Sequence, residues 1–250
     1  MKVQAYSSND DKCKVCFKIE VENEDKTSPS PKYSLNKKEF YIKLPEGVLF
    51  EQIHPDHLAL VSLLACHPFI GKRIIFPKKV SKNFFDAHKI VTKYVVEEFD
   101  ENLDPWIAPE ESRVALAFSG GADSTAALAL LPKTTVPIFL DRPLPTFKRS
   151  LYDKDAPHIA CQKLSEMGYD VMKIESNLEH IRHPIGFPVD VANAAPAILL
   201  ASHMKFDAVS FGTILESAYR VGHEQYLNYN NRAHFKHWGG LFNAAGLPFL

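Results

Sequence analysis

Cysteine is scarce in this chain, which has only four cysteines among its 250 residues. That number is too small for a disulfide scaffold, so a hydrophobic core has to hold the fold. Cys13 and Cys16 have the C-x-x-C spacing, but no second cysteine pair completes a zinc site, and both lie in a stretch dense in strand formers. We therefore expect strand residues here and a reducing, cytoplasmic setting.

Long hydrophobic runs and an excess of one charge are also missing. The longest apolar run, residues 58–66, is too short to span a bilayer, and the N-terminus lacks the apolar core of a signal peptide. No membrane partner is therefore expected. The formal net charge is −1, and residues 1–112 carry 16 basic and 18 acidic side chains. A general nucleic-acid binder is not indicated.

One local basic run does occur before residue 100. Its members are Lys72, Arg73, Lys78, Lys79, Lys82, Lys89 and Lys93. A solvated helix or loop face is favoured over a binding site for a polyanion, because charge runs of this density are common on protein surfaces. RNA therefore stays open as a partner but is not favoured.

The first 100 residues are predicted to form a small β-rich α+β domain that ends in a helix. Alternating apolar residues around a polar turn predict a hairpin over residues 32–44. A buried helix is expected over residues 55–66, with Pro55 in its first turn. Residues 81–99 are predicted to be helical, with Ser81 as the cap. The apolar face of this helix is predicted to hold Phe84, His88, Val91 and Val95. The acidic, proline-containing residues 101–112 are predicted to be a linker.

Residues 113–250 have the rhythm of an α/β domain. Short apolar strands are predicted over residues 113–118, 136–140, 171–174 and 208–211, and helices over residues 123–131, 155–167 and 191–205, the last interrupted by Pro196. This β-α-β-α-β-α-β pattern predicts a mostly parallel sheet covered by helices. Ligands in such sheets bind at the carboxyl ends of the strands.

The segment Ser119-Gly120-Gly121-Ala122-Asp123-Ser124 follows the first of these strands and opens a helix. The glycines allow a sharp turn and a close approach of phosphate. The amides of the first helical turn have no internal partner, and together with the helix dipole they form an anion site. The two serine hydroxyls can add hydrogen bonds. An aspartate would repel bare phosphate, but it suits a site that also holds Mg²⁺.

Other interpretations of this segment are weaker. The Gly-Lys-Ser/Thr ending of a Walker A loop is absent, and so is the G-x-G-x-x-G dinucleotide fingerprint. The purely structural alternative is an ordinary Gly-Gly turn with Asp123 as the helix cap.

Ser-Gly-Gly-x-Asp-Ser after a first parallel strand resembles the PP-loop of the N-type ATP pyrophosphatase superfamily. Its members include GMP synthetase, NAD synthetase and the 7-cyano-7-deazaguanine synthases. The resemblance covers about residues 110–235 and implies a Rossmann-like, adenine nucleotide alpha hydrolase-like domain. It also implies a loop that holds the pyrophosphate part of ATP, and a reaction that adenylates a substrate oxygen and releases pyrophosphate. The chain as a whole also resembles PP-loop proteins with a β-rich N-terminal domain.

By this resemblance, ATP and Mg²⁺ are the expected cofactors. The expected ligand residues are Ser119, Gly120, Gly121, Ala122, Asp123 and Ser124, with Asp123 as the metal ligand. Two further segments fit the family's layout. Leu140 ends the second strand, where family members contact adenosine, and Gly212 and Thr213 follow the fourth strand, where a glycine-containing segment closes the site.

The chemistry calls for cations near the transferred phosphate, because positioning and charge stabilisation supply most of the catalysis. Arg142 and Arg220 are the favoured candidates among Arg142, Lys148, Arg149, Arg220 and Lys236. Asp123 is the third expected catalytic residue. Glu216 is a candidate second metal ligand, and residues 228–232 with Trp238 are candidates for substrate contacts. Each of these side chains could instead be an ordinary surface or loop residue.

Three functions follow from these features. The favoured one is an AMP-forming ligase or amidotransferase-like enzyme that acts on a small molecule. The alternatives are a tRNA-modifying PP-loop enzyme and a non-catalytic ATP-sensing module. The apolar residues 241–250 indicate either a fragment of a longer protein or an end that is buried against a partner subunit, so a homo-oligomer is open.

Overall fold

A four-stranded parallel sheet is the centre of the computed structural model, which describes residues 1–143, 155–212 and 234–250. The strands are β1 (Lys2–Ser7), β2 (Lys14–Glu20), β3 (Ser34–Leu35), β4 (Glu39–Lys43), β5 (Arg73–Ile74), β6 (Val80–Ser81), β7 (Val95–Val96), β8 (Phe99–Asp100), β9 (Arg113–Phe118), β10 (Val136–Asp141), β11 (Met172–Glu175), β12 (Arg182–His183) and β13 (Phe206–Phe211). The α-helices are α1 (Pro55–Cys66), α2 (Lys82–Val91), α3 (Ala122–Leu130), α4 (Ala156–Glu166), α5 (Ala195–Met204) and α6 (Gly240–Ala244). Short 3₁₀ helices occur at Phe50–Gln52, His67–Phe69, Leu178–Ile181 and Asp190–Ala194, and a π-helix at Phe235–Gly239.

The parallel sheet has the strand order β11-β10-β9-β13. All four strands predicted for the second half lie in it, and residues 114–118 of β9 are buried, as their unbroken apolar character predicted. The mixed α/β class is therefore confirmed.

Helices cover both faces of this sheet. On one face, Leu116 and Phe118 of β9 pack with Leu128 of α3 and Cys161 of α4 in a small apolar cluster. On the other face, the sheet and α5 pack against the N-terminal half in a much larger core. The apolar cluster on the first face is therefore smaller than the core on the second face. Only the second face packs against residues 1–100.

The N-terminal half is built on an antiparallel sheet of order β1-β2-β4. Phe17 and Phe40 stack across it with ring centroids 4.7 Å apart. Its last strand lies beside the end of β11, where the Ser176 hydroxyl donates to the Tyr41 carbonyl at 2.6 Å. Residues 101–112 contain no helix or strand. The large core nevertheless continues from one side of this segment to the other.

The hairpin predicted for residues 32–44 is wrong. β3 pairs with β12, and β4 pairs with β2, both antiparallel. Asn36, in the polar turn between them, donates its backbone N–H to the Ile181 carbonyl at 2.6 Å. A local pattern indicates strand, turn and strand, but the tertiary packing decided the partner of each strand.

The helix predicted for residues 81–99 is shorter than expected. Ser81 caps it as predicted, since its side chain accepts from the Phe84 N–H at 3.2 Å. The helix ends at Val91, and the chain then forms β7 and β8. Val95, expected on the buried face, is 61% exposed. The valines at 95 and 96 favour an extended backbone because their branched Cβ crowds the preceding turn of a helix.

The prediction that Pro196 interrupts a helix is wrong. Pro196 lies in the first turn of α5. A proline is tolerated there because its missing N–H would have no intrahelical partner. The residues before it, Asp190–Ala194, form a separate 3₁₀ helix.

The apolar C-terminal residues pack within the same chain. Leu241, Phe242 and Leu247 are buried, and α6 packs on α2. Residues 248–250 run along β13, where the Val209 N–H donates to the Pro248 carbonyl at 3.0 Å. None of the helices in the described part of the chain has the length and apolarity needed to cross a lipid bilayer. All four cysteines are free thiols, and Cys66 and Cys161 are buried.

Candidate functional site

The 119–124 loop joins β9 to α3 at the carboxyl edge of the parallel sheet. β10 and β11 lie on one side of β9, and β13 lies on the other. The strand order therefore reverses between β9 and β13, and the crevice outside the ends of these two strands is where open α/β sheets bind ligands. The loop lies at that position.

Gly120 gives the loop its sharp turn. Its φ is +79°, in the left-handed region that favours glycine. A Cβ at this position would also lie 2.7 Å from the Cα of Pro157, at the start of α4. The loop is thus pressed against the N-terminal end of α4, and only glycine fits both constraints.

The two serines hold the loop in shape. The Ser124 side chain is buried, and its hydroxyl donates to the Gly121 carbonyl at 3.1 Å and accepts from the Ser119 N–H at 3.3 Å. The two serine hydroxyls are 3.1 Å apart. We expected both hydroxyls to bind phosphate. The buried Ser124 hydroxyl serves the internal bonding of the loop. The exposed Ser119 hydroxyl accepts from the Gly121 N–H at 3.4 Å.

The first turn of α3 presents free polar groups. Gly121 is the N-cap and makes no side-chain capping bond. The N–H groups of Ala122 and Asp123 donate to no carbonyl or side chain among the described residues. The Asp123 side chain is exposed, caps no backbone N–H and pairs with no described cation. The alternative interpretation of Asp123 as a helix cap is therefore wrong.

Gly212 lies directly against this turn. A Cβ there would be 2.4 Å from both the backbone N and the Cα of Ser124 and 2.7 Å from the carbonyl carbon of Asp123. The end of β13 therefore approaches the start of α3 as closely as backbone allows. The end of β13 therefore lies against the 119–124 loop. That Gly212 helps to close an ATP site stays a prediction.

The end of β10 contributes the next part of the edge. The Leu140 side chain is buried, so only its backbone can face a ligand. Asp141 is half-exposed, and its carboxylate lies 3.4 Å from Nε2 of His158 on α4. The His158 ring packs edge-on against Phe139, with centroids 5.5 Å apart.

Arg142 is held by a carboxylate that the sequence analysis did not single out. Its Nε lies 2.9 Å from Oε2 of Glu179, whose side chain is 3% exposed. Burial raises the pKa of Glu179 above its ordinary value, and the neighbouring Arg142 offsets only part of that rise. The buried carboxylate thus fixes a half-exposed guanidinium at the carboxyl edge of the sheet.

The Arg142–Glu179 pair predicts a specific pattern in a double-mutant cycle. Arg142→Met should lower the free energy of unfolding by about 2 kcal/mol, because it leaves a buried carboxylate without its cation. Adding Glu179→Gln should recover most of that loss, since the two residues are coupled. Urea denaturation of the two single variants and the double variant measures this coupling. Additive losses would show that the pair does not interact in solution.

The remaining expected residues do not all reach the site. Thr213 and Arg220 lie outside the described residues, as do Lys148, Arg149, Glu216 and residues 228–232. Trp238, expected to contact substrate, is buried in the core, with its ring centroid 5.1 Å from that of His67. It is a packing residue. Lys236 is exposed in the π-helix before α6.

Most of the basic run is neutralised locally. Lys72, Arg73, Lys79, Lys82 and Lys89 pair with neighbouring carboxylates, and Lys78 lies over the Phe50 ring. This arrangement agrees with a solvated face. It leaves little unpaired positive charge for a polyanion.

No group of three or more histidine, cysteine, aspartate and glutamate side chains in the described part of the chain is placed to hold a metal ion. The His54 and His57 rings are 5.6 Å apart, but His54 caps α1 and His57 bonds to the Ala245 carbonyl. A Mg²⁺ that binds with phosphate and water needs only one or two carboxylates. Asp123 is the carboxylate at the loop, and it pairs with no cation in the part of the chain that the structure describes.

Glu179, His158 and Asn36 are the site-edge residues that the sequence analysis missed. Glu179 lies between the buried residues Leu178 and Ile181 in a 3₁₀ helix, which was the only local sign that it is buried. His158 and Asn36 reach the edge only through the packing of α4 and of the β3–β4 connection.

Comparison of the chain with protein-family models, with curated proteins and with solved structures finds no match.

Proposed function

We propose that this chain binds ATP with Mg²⁺ at the 119–124 loop and is an N-type ATP pyrophosphatase that adenylates a substrate oxygen. The observation that carries the proposal is the placement of Ser-Gly-Gly-Ala-Asp-Ser at the switch point of the parallel sheet, with Gly212 against it. The resemblance of this motif to the PP-loop supplies the reaction class. The proposed domain is the parallel-sheet part of the chain, from residue 113 onward.

In the proposed reaction, an oxygen of the substrate attacks the α-phosphorus of ATP. The bond from that phosphorus to the bridging oxygen breaks, and pyrophosphate leaves with the electron pair. A nucleophile then displaces AMP from the adenylated substrate. The N–H groups of Ala122 and Asp123 suit the pyrophosphate end, because they lie at a helix N-terminus and have no acceptor among the described residues. Arg142 supplies positive charge at the neighbouring strand end.

Asp123 is the residue that would hold Mg²⁺. Its carboxylate is exposed and has no cationic partner within residues 1–143, 155–212 and 234–250, which fits an ion that prefers carboxylate, phosphate and water oxygens. The ion would neutralise charge on the phosphates when bound. An aspartate would otherwise weaken phosphate binding here, because it places a negative charge in an anion site.

A small molecule remains the favoured substrate. The basic run offers little unpaired charge to RNA, since five of its seven cations are engaged by carboxylates. RNA binding that weakens steeply with salt and is lost on charge reversal in this run would instead support the tRNA-modifying alternative.

Calorimetric titration of ATP, with and without Mg²⁺, tests the proposal on the wild type and two variants. Wild-type binding should depend on Mg²⁺. Asp123→Ala should weaken it by about tenfold or more, because the carboxylate that would hold Mg²⁺ is lost. Gly121→Val should abolish it. Gly121 has φ −90°, and a Cβ there meets only the Ser119 hydroxyl at 3.5 Å, so the variant should fold normally.

Asp10→Ala is the matched control, since Asp10 is an exposed aspartate far from the loop in sequence. AMP and pyrophosphate, rather than ADP and phosphate, are the expected products once a substrate is supplied. Failure of the folded wild type to bind ATP would end the proposal. Binding without turnover across a broad set of acids and amides would favour the ATP-sensing alternative.

A further inference from the structure

Asp141 ends β10 beside the 119–124 loop. Phe139 pairs in parallel with Phe118, the last residue of β9. Asp141 and Gly120 each follow this pair by two residues, and neighbouring strands lie about 5 Å apart. Side chains alternate along a strand, so Asp141 faces the same side of the sheet as Phe139, the side that α3 and α4 cover. Its carboxylate therefore leaves the sheet at the level of the loop and on the face where the loop opens α3.

His158 reaches Asp141 from the first turn of α4, and this turn touches the loop. A Cβ on Gly120 would lie 2.7 Å from the Cα of Pro157, the residue before His158. The His158 ring packs edge-on against Phe139, with centroids 5.5 Å apart, and its Nε2 lies 3.4 Å from Oδ1 of Asp141. The end of β10, the loop and the start of α4 thus meet at this pair.

The His158–Asp141 pair is open to solvent. The side chain of His158 is 41% exposed and that of Asp141 is 36% exposed. The Nδ1 of His158 makes no hydrogen bond within residues 1–143, 155–212 and 234–250. With Nε2 turned to the carboxylate, the second ring nitrogen is available to a ligand. An ion pair this exposed contributes little to stability, so a structural role explains it poorly.

Other titratable groups surround this ring. Asp155 precedes the first residue of α4, and Lys173 of β11 lines a groove of about 560 Å³ that the ring also lines. The Cys161 thiol borders the same groove and stays neutral, because burial raises its pKa. Asp123 lies across the loop, at the start of α3. Among the described residues, Asp141 alone forms an ion pair with the ring.

We infer that His158 is a contact of the ATP phosphates and that Asp141 positions its ring. In the imidazolium both ring nitrogens are donors, so Nε2–H is directed to Asp141 and Nδ1–H to a phosphate oxygen at the loop. This contact rests on the ATP site proposed above and adds a full positive charge beside it. The loop amides offer only the partial charge of a helix N-terminus.

Calorimetric titration of ATP with Mg²⁺ between pH 6 and pH 8 tests this contact, because a histidine changes its charge within this range. His158→Gln should bind ATP about fivefold more weakly than the wild type at pH 6, where the charged contact is lost, and about equally at pH 8. The protonation of ATP itself is the same in both titrations and cancels in the comparison. Urea midpoints verify that both proteins are folded.

Asp141→Asn and His203→Gln complete the set of variants. Asp141→Asn keeps the shape of the side chain but removes its charge, so the gain in affinity should move to lower pH than in the wild type. His203→Gln removes an exposed histidine of α5 and should bind ATP as the wild type does throughout the pH range. A pH profile of Asp141→Asn that matches the wild type would show that Asp141 does not position the ring.

Two results would overturn the phosphate contact while leaving the ATP site in place. One is equal affinity of the wild type and His158→Gln for ATP at pH 6. The other is a loss of affinity in His158→Gln that is as large at pH 8 as at pH 6, since it would reflect lost packing rather than a lost charge. A folded wild type that binds no ATP at any pH rejects the proposed function itself, and this contact with it.

Discussion

Gly212→Ala is expected to abolish ATP binding and to lower the free energy of unfolding by about 3 kcal/mol. The added Cβ would lie 2.4 Å from the backbone N and Cα of Ser124. Both are backbone atoms at the start of a packed helix, so neither can rotate away. Either β13 or the first turn of α3 has to move, and the N–H groups that face the proposed phosphate site move with it.

Gly240→Ala is the control for the stability part of this prediction. Gly240 begins α6, and a Cβ there meets only a Val91 methyl carbon at 3.8 Å. Its denaturation midpoint in urea should stay the same or rise slightly, because alanine favours a helix over glycine. A Gly212→Ala protein with unchanged midpoint and ATP affinity would show that the close contact does not exist in solution. If Gly212→Ala loses stability but still binds ATP, the close contact exists but ATP binding does not depend on it.

Acidification is expected to destabilise the fold well above the pH at which carboxylates protonate. His57 is fully buried, with its Nε2 bonded to the Ala245 carbonyl at 3.0 Å and its Nδ1 without a partner among the described residues. Burial lowers the pKa of His57 from 6.5 to about 3. His88 is buried too, and burial lowers its pKa from 6.5 to about 4. Both rings are neutral in the native protein.

The sign of the effect follows from proton linkage. Below pH 6.5 the unfolded chain binds protons on both histidines, whereas the folded chain does not until pH 4 or lower. Stability is therefore complete above pH 6.5 and falls as the pH drops from 6.5 towards 4, by roughly 2–3 kcal/mol for each histidine. Urea denaturation at a series of pH values measures this slope.

His57→Gln isolates the contribution of one ring. Glutamine can donate to the Ala245 carbonyl but does not titrate, so the variant should lose about 2 kcal/mol less than the wild type between pH 7 and 5. His203→Gln is the matched control, because His203 is exposed. Equal pH slopes for the wild type and His57→Gln would show that His57 takes up a proton in the folded state as readily as in the unfolded state.

The amino-acid sequence by itself determined the α/β half of this protein. The apolar stretches that became β9, β10, β11 and β13 and the helix signals between them are properties of contiguous residues, so local reasoning finds them. The same is true of the Ser-Gly-Gly-Ala-Asp-Ser loop, whose glycines and helix-opening position are written in six neighbouring residues. The Ser81 cap and the buried face of α2 at Phe84 and His88 belong to this class as well.

Only the tertiary structure decided which distant residues meet. The hairpin over residues 32–44 failed because β3 found β12 as its partner, and the same packing brought Asn36 and Lys37 to the edge of the parallel sheet. Glu179 lies next to Arg142, and Gly212 next to Ser124, because strands far apart in sequence end at one edge. The buried His57 ring bonds to the carbonyl of Ala245, 188 residues away in sequence. Hydrophobic periodicity describes which face of an element is covered, but it does not name the element that covers it.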